Sequence, residues 1–121
     1  MNHGRRAFTL VEIMIVVAII GLLAAIMIPN VLHSRTTAQT KLCIDNLRMI
    51  DSAKQQWALE SGATATTVPA ASSIQPYLGR GNGELPVCPI DPAQSFGTSY
   101  ILNNCSTSPT CQIDPVNHLL P

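Results

Sequence analysis

Four cysteines, Cys43, Cys88, Cys105 and Cys111, are the side chains of this sequence best suited to covalent or metal chemistry. Their spacing contains neither CxxC nor CxxCH, and His118 stands alone further on, so no finger signature is written in the chain. All four follow a long apolar run and so share one compartment. A membrane segment ahead of them points to an oxidising extracytoplasmic space and to disulfides, with free thiols or an unusual metal site as the alternatives. Four cysteines permit three pairings. Cys88 with Cys111 and Cys43 with Cys105 would tie the chain's last third to itself and to the preceding helix. Cys105 with Cys111 and Cys43 with Cys88 is the rival. Among the acids, Asp91, Asp114 and Glu84 lie in turn-rich segments where carboxylates either ligate calcium or simply form turns. Plain turn formation is the expected role, leaving Asp91 and Asp114 as low-ranking calcium candidates and no other metal or cofactor. His118 is expected at the surface or partly packed. No nucleophile motif, HExxH or catalytic carboxylate pair is present, and the expectation is a protein that is not an enzyme.

A fourth kind of chemistry is electrostatic. In RRAFTLVEIMIVVAIIGLL, residues 5–23, a single carboxylate, Glu12, stands at the mouth of the apolar run. A charge at the edge of hydrocarbon costs roughly 2.5 kcal/mol or more. Glu12 therefore needs either a dispensable position or a partner.

The elements that position these groups follow from pattern. Between Ile13 and Leu32 the only clearly polar residue is Asn30, and 20 residues of helix span about 30 Å, a bilayer core. Arg5 and Arg6 precede the span and place the N-terminus in the cytoplasm by the positive-inside rule. The run is too long for a secretory h-region, carries an acid at its start and is not followed by a small-x-small cleavage site. Pro29 within it predicts a kinked or locally melted helix. Beyond it, Ala38, Leu42, Cys43, Leu47, Ile50, Ala53, Trp57 and Ala58 recur at helical spacing. Lys41, Asp45, Arg48, Asp51 and Lys54 are placed on a solvated face, as Lys41–Asp45, Asp45–Arg48 and Asp51–Lys54 pairs. The helix is expected to end near Ser61 and Gly62.

GATATTVPAASS reads as a surface loop. SSIQPYL reads as a helical turn capped by Ser72 or Ser73 and closed by Gly79. GRGNG, residues 79–83, lacks the strand before and the GK[ST] after that a phosphate loop needs, and reads as a turn. LPVC, TSYIL and TCQI are strand-like, with TSYIL and TCQI a candidate antiparallel pair against the helix. The core candidates, Leu47, Ile50, Trp57, Ile74, Tyr77, Leu78, Val87, Tyr100, Leu102 and Ile113, make a small core of the kind that usually needs covalent or metal staples. Charged residues are 12% of the chain and sum to zero, with one Trp, two Tyr and two Phe. No basic patch or base-stacking platform is available, and no nucleic-acid partner is expected.

The stretch RRAFTLVEIMIVVAIIGLLAAIMIPN closely resembles the N-terminal signal of type IV prepilins and type II secretion pseudopilins. CIDNLRMIDSAKQQWALE, with the later PVCP and PTC, resembles a short pseudopilin-type subgroup. The resemblance implies an α+β fold: a long N-terminal helix, its first half transmembrane, packed on a small antiparallel sheet. It implies a leader of residues 1–7, an assembly helix over 8–32 and a periplasmic domain over 33–121. By the same resemblance a prepilin peptidase cuts between Ala7 and Phe8, and Phe8 becomes N-methylated. Glu12 and Phe8 then serve assembly, and Pro29 occupies the family's helix-melting position. Gly normally precedes the cut, and Ala7 in its place implies slower processing. The implied function is a pseudopilus subunit that helps move folded proteins across the outer membrane, held in the inner membrane before assembly. The implied partners are copies of itself, minor pseudopilins, the peptidase, an assembly platform and the lipid bilayer. A type IV pilus subunit, or a membrane-anchored minor pilin that binds a ligand, is the alternative.

Overall fold

A computed structural model describes residues 7–79 and 83–121. Residues 80–82 of the GRGNG turn, like Arg5 and Arg6, lie outside this set. The chain divides into two units, Met1–Thr36 and Thr37–Pro121.

In the first unit, helix α1 (Leu10–Ser61, continuing into the second unit) begins with a reciprocal cap. Thr9 Oγ1 accepts the Glu12 backbone N–H at 3.2 Å, and the Glu12 carboxylate accepts the Thr9 N–H at 2.8 Å. This is the capping box, in which two otherwise unpartnered donors at a helix start are satisfied by a Thr and a Glu three residues apart. The helix runs through Pro29 as α-helix without interruption, so of the expected kink or local melting the melting is absent. Proline removes one amide donor, yet the residues on both sides of it remain within α1. Nearby, the Ser34 hydroxyl donates to the Asn30 carbonyl at 2.9 Å. By length and composition α1 is apolar enough to cross a membrane.

In the second unit, the α1 residues Cys43, Asn46, Leu47, Ile50, Ala53 and Lys54 form one buried stripe at steps of three, one, three, three and one. This is the spacing of a single helix face. Leu42, one position off the stripe, is exposed. The helix stops at Ser61, where Gly62 turns left-handed (φ 65°). Residues 71–77 form a short α2 (Ala71–Ile74) and a 3₁₀ turn, Gln75–Tyr77, ended by Gly79 at φ 65°. Ala70 occupies the N-cap position without a side-chain bond, which corrects the expected Ser72 or Ser73 cap. A one-turn helix α3 (Phe96–Ser99) leads into the hairpin of β1 (Tyr100–Ile101) and β2 (Thr110–Cys111). The hairpin is antiparallel, with Tyr100 opposite Cys111 and Ile101 opposite Thr110. TSYIL and TCQI thus pair as the pattern predicts. LPVC does not join them, because its backbone serves the Cys88 loop described below.

The core joins Cys43, Leu47, Ile50 and Ala53 of α1 to Ile74, Leu78, Cys88, Tyr100 and Cys111, with Trp57, Tyr77 and Leu102 packed at its margin. Val87 is only half-buried and Ile113 lies at the surface. Lys54 departs furthest from expectation. It is fully buried, and its ammonium donates to the carbonyls of Leu102 at 2.7 Å and Thr107 at 2.6 Å. Both acceptors belong to the connection between β1 and β2, so one cation from α1 holds the two arms of the hairpin loop. Of the three expected helical ion pairs, Asp45–Arg48 is formed at 3.0 Å.

Candidate functional site

Among the described residues, two places carry chemistry. The first is the start of α1. From Phe8 to Leu32 every large apolar side chain is between 52% and 83% exposed. A run this long and this exposed among the described residues is an interaction surface for lipid or other apolar helices. Glu12 is the sole carboxylate within it. In the isolated chain its carboxylate is held by the Thr9 amide, so the charge is fixed at the helix start, where the dipole favours an anion. Thr-x-x-Glu is a readable sequence signal that the pattern of apolar residues overshadowed.

The second place is inside the cap. Three thiols and one imidazole converge: Cys43 from α1, Cys88 from the loop after Pro86, Cys111 from β2 and His118 from the turn beyond it, all of them buried. Cys111 and Cys88 Sγ are 3.9 Å apart, and His118 Nδ1 lies 3.5 Å from Cys111 Sγ and 3.9 Å from Cys88 Sγ. The Tyr100 hydroxyl donates to Cys43 Sγ at 3.5 Å and in turn accepts Asn46 Nδ2 at 3.1 Å. Burial pushes the Cys88 thiol above its ordinary value, because a thiolate is poorly solvated in an apolar core.

Local structure explains why each residue arrives there. Cys43 sits four residues before Leu47 on the buried stripe of α1. Cys88 is held at both backbone groups: its N–H donates to Ser99 Oγ at 3.0 Å, and its carbonyl accepts the Asp91 N–H at 3.0 Å. Asp91 in turn accepts from the hydroxyls of Ser99 and Thr98, each at 2.6 Å, and from the Ala93 N–H at 2.9 Å. Those donors, the Ser99 hydroxyl foremost, hold the Asp91 carboxyl below its usual range. Asp114 closes the last turn by accepting the Asn117 N–H at 3.1 Å and Asn117 Nδ2 at 2.9 Å, while its carbonyl accepts the His118 N–H at 3.1 Å.

Two sequence expectations change here, for the cysteines and for His118, while Asp91 and Asp114 keep the expected turn-forming role. The four cysteines are free thiols, so neither proposed set of disulfides is formed. Cys43 faces Cys88 and Cys111 rather than Cys105, which is half-buried in a separate turn whose amide donates to the Thr67 carbonyl. Asp91 and Asp114, the calcium candidates, spend their oxygens on their own loops. They fall outside the one grouping of His, Cys, Asp and Glu side chains, among the described residues, that is close enough to share an ion. His118, expected at the surface or partly packed, is fully packed at 2% exposure. Sequence spacing hid this cluster because its members are separated by long connections, which only the packing of α1 against the hairpin brings together.

Comparison with known proteins bears on the first place. The prokaryotic N-terminal methylation motif matches residues 2–28. The type II secretion system core protein G of Pseudomonas aeruginosa is 30% identical over 107 residues, covering 82% of this chain and 73% of that protein. Its Escherichia coli counterpart is 28% identical over 106 residues, covering 83% and 72%. The type IV major pilin protein PilA of Myxococcus xanthus is 42% identical over 59 residues, which is 49% of this chain and 27% of the pilin. No solved structure gives a significant match. A long apolar N-terminal helix and a small two-stranded cap are consistent with a pilin-like α+β fold. The chain belongs to the type IV pilin and pseudopilin family.

Proposed function

We propose that this chain is a subunit of a type II secretion pseudopilus. It is cut between Ala7 and Phe8, methylated on the new N-terminus, and held in the inner membrane with its cap in the periplasm. Copies of it, together with minor pseudopilins, are then drawn by an assembly platform into a helical filament that helps move folded proteins across the outer membrane. The observation that carries the reading is the exposed apolar surface from Phe8 to Leu32 with one acid in it. Lipid covers that surface before assembly and neighbouring helices cover it afterwards, so transfer from one to the other costs little hydrophobic free energy.

Glu12 supplies what apolar contact lacks, a unique axial offset. After cleavage the amine of Phe8 is a cation one helical turn away, and a neighbour's amine is a second. A buried carboxylate is costly alone and strongly attracted to an ammonium, so a subunit docked at the wrong height leaves a charge unpaired. The secretion branch is supported by how far two of the relatives match: the core proteins G of Escherichia coli and Pseudomonas aeruginosa align along 72% and 73% of their length, the pilin along 27% of its own. The pilin match keeps a type IV pilus subunit as the second reading.

Mass spectrometry of the protein recovered from membranes tests the processing step, with a chain starting at methylated Phe8 expected and an intact Met1 contradicting it. Deletion of the coding sequence then separates the branches. Retention of normally exported proteins in the periplasm is the expected result, whereas intact export with lost surface motility or adhesion favours the pilus.

A further inference from the structure

We propose that Cys43, Cys88, Cys111 and His118 form a structural zinc site that staples the cap to α1. Zinc takes thiolate sulfur at about 2.3 Å and imidazole nitrogen at about 2.0–2.1 Å in a tetrahedron, which sets ligand-to-ligand edges of about 3.8 Å for S–S and about 3.6 Å for S–N. The observed edges are 3.9 Å between Cys88 and Cys111, and 3.5 and 3.9 Å from His118 Nδ1 to Cys111 and Cys88. All four ligand atoms lie within 4.8 Å of one another, so closing the shell needs side-chain adjustments alone.

A disulfide satisfies this cluster poorly. Three thiols are an odd number, so one bridge leaves a third thiol and the imidazole buried beside it. A tetrahedral ion engages all four. Three sulfurs and one nitrogen are a donor set that selects zinc over the hard cations calcium and magnesium. Four protein ligands, none more than 2% exposed, leave no open position for substrate, which marks a structural site rather than a catalytic one. The surroundings also resemble an outer shell. Tyr100 donates to Cys43 Sγ and is itself oriented by Asn46, while Ser99 and Asp91 hold the Cys88 loop. Donors of this kind fix ligand orientation and support thiolate charge. Binding involves no redox change: each thiol gives its proton to solvent as its sulfur takes the metal, up to three protons per ion.

The test uses the full chain, purified in detergent from membranes without chelator and analysed for metals and free thiols. About one zinc per chain is expected, with Cys105 reacting readily with a thiol reagent and the other three cysteines protected until the metal is removed. Replacement of zinc by cobalt should give sulfur-to-metal charge-transfer bands and the intense visible bands of a tetrahedral ion. Cys43→Ser should reduce the metal content at least about tenfold, and Tyr100→Phe should weaken affinity by about 10–100-fold. His118→Cys guards against a merely structural effect, since it should keep the ion while shifting the cobalt visible bands. A Cys88–Cys111 disulfide in the isolated protein, full stoichiometry of another metal, zinc binding indifferent to Cys43→Ser, or cobalt bands unmoved by His118→Cys would each overturn the proposal.

Discussion

Replacing Lys54 by Met keeps the aliphatic stem and deletes only the ammonium, which makes it a sharp test of how the hairpin is held. In the native chain that ammonium is fully buried and bonded to two carbonyls, at 2.7 and 2.6 Å, on opposite arms of the β1–β2 connection. Hydrogen bonds from a charged donor contribute about 1.5–3 kcal/mol each. Against this stands the cost of desolvating the ammonium, which is several kcal/mol for a buried ion. After substitution the desolvation cost vanishes, but two carbonyls lose their donor at about 1–3 kcal/mol apiece, offset by about 1 kcal/mol of extra apolar burial. The expected net loss is about 2 kcal/mol. With a urea dependence of about 1 kcal/mol per molar for a unit of this size, the unfolding midpoint should fall by about 2 M. Trp57, the only tryptophan, lies three residues further along α1 at the margin of the core and reports the transition by fluorescence in detergent-solubilised full chain. A midpoint within about 0.3 M of the parent would refute the reasoning, because a solvated ammonium is the arrangement that costs nothing to lose.

Two further outcomes follow from the same contacts. Leu47→Ala removes a fully buried side chain from the centre of the α1 stripe and should destabilise the cap by about 3 kcal/mol through lost transfer energy and a residual cavity, read by the same urea titration. Thr9→Ala removes the hydroxyl that accepts the Glu12 amide. It should cost about 1 kcal/mol at the helix start and speed amide exchange over residues 10–13 about fivefold in micelles, with the rest of α1 unchanged.

How much was legible in the sequence depends on whether the signal was local. The apolar run, the helical period through Cys43, Leu47 and Ile50, the stop at Ser61 and the pairing of TSYIL with TCQI all rest on near neighbours, and the structure carries each of them. Lys54 was misplaced for an instructive reason. Charged residues default to the solvated face, and only the approach of two carbonyls from residues 102 and 107 makes burial of an ammonium tolerable. The cysteine grouping is hidden on the same ground: Cys88 and Cys111, expected together, do meet at 3.9 Å, but Cys43 joins them in place of Cys105. Sequence spacing offers every combination equally, whereas the burial of Cys43 on the helix stripe and of Cys111 opposite Tyr100 brings these two thiols together with Cys88 and His118. Asp91 and Asp114 kept their turn-forming character, and the calcium alternative had no support from their surroundings.

The most direct measurement on the account as a whole is electron microscopy of cells overproducing the chain, with parent and Glu12→Ala compared at matched membrane levels. Filaments containing the parent protein are the expected result. A register role for Glu12 has a second consequence: few or none form from the variant, even though insertion and cleavage at Ala7 proceed normally. Filaments of ordinary number from Glu12→Ala would contradict the assignment of Glu12 as the group that sets subunit register.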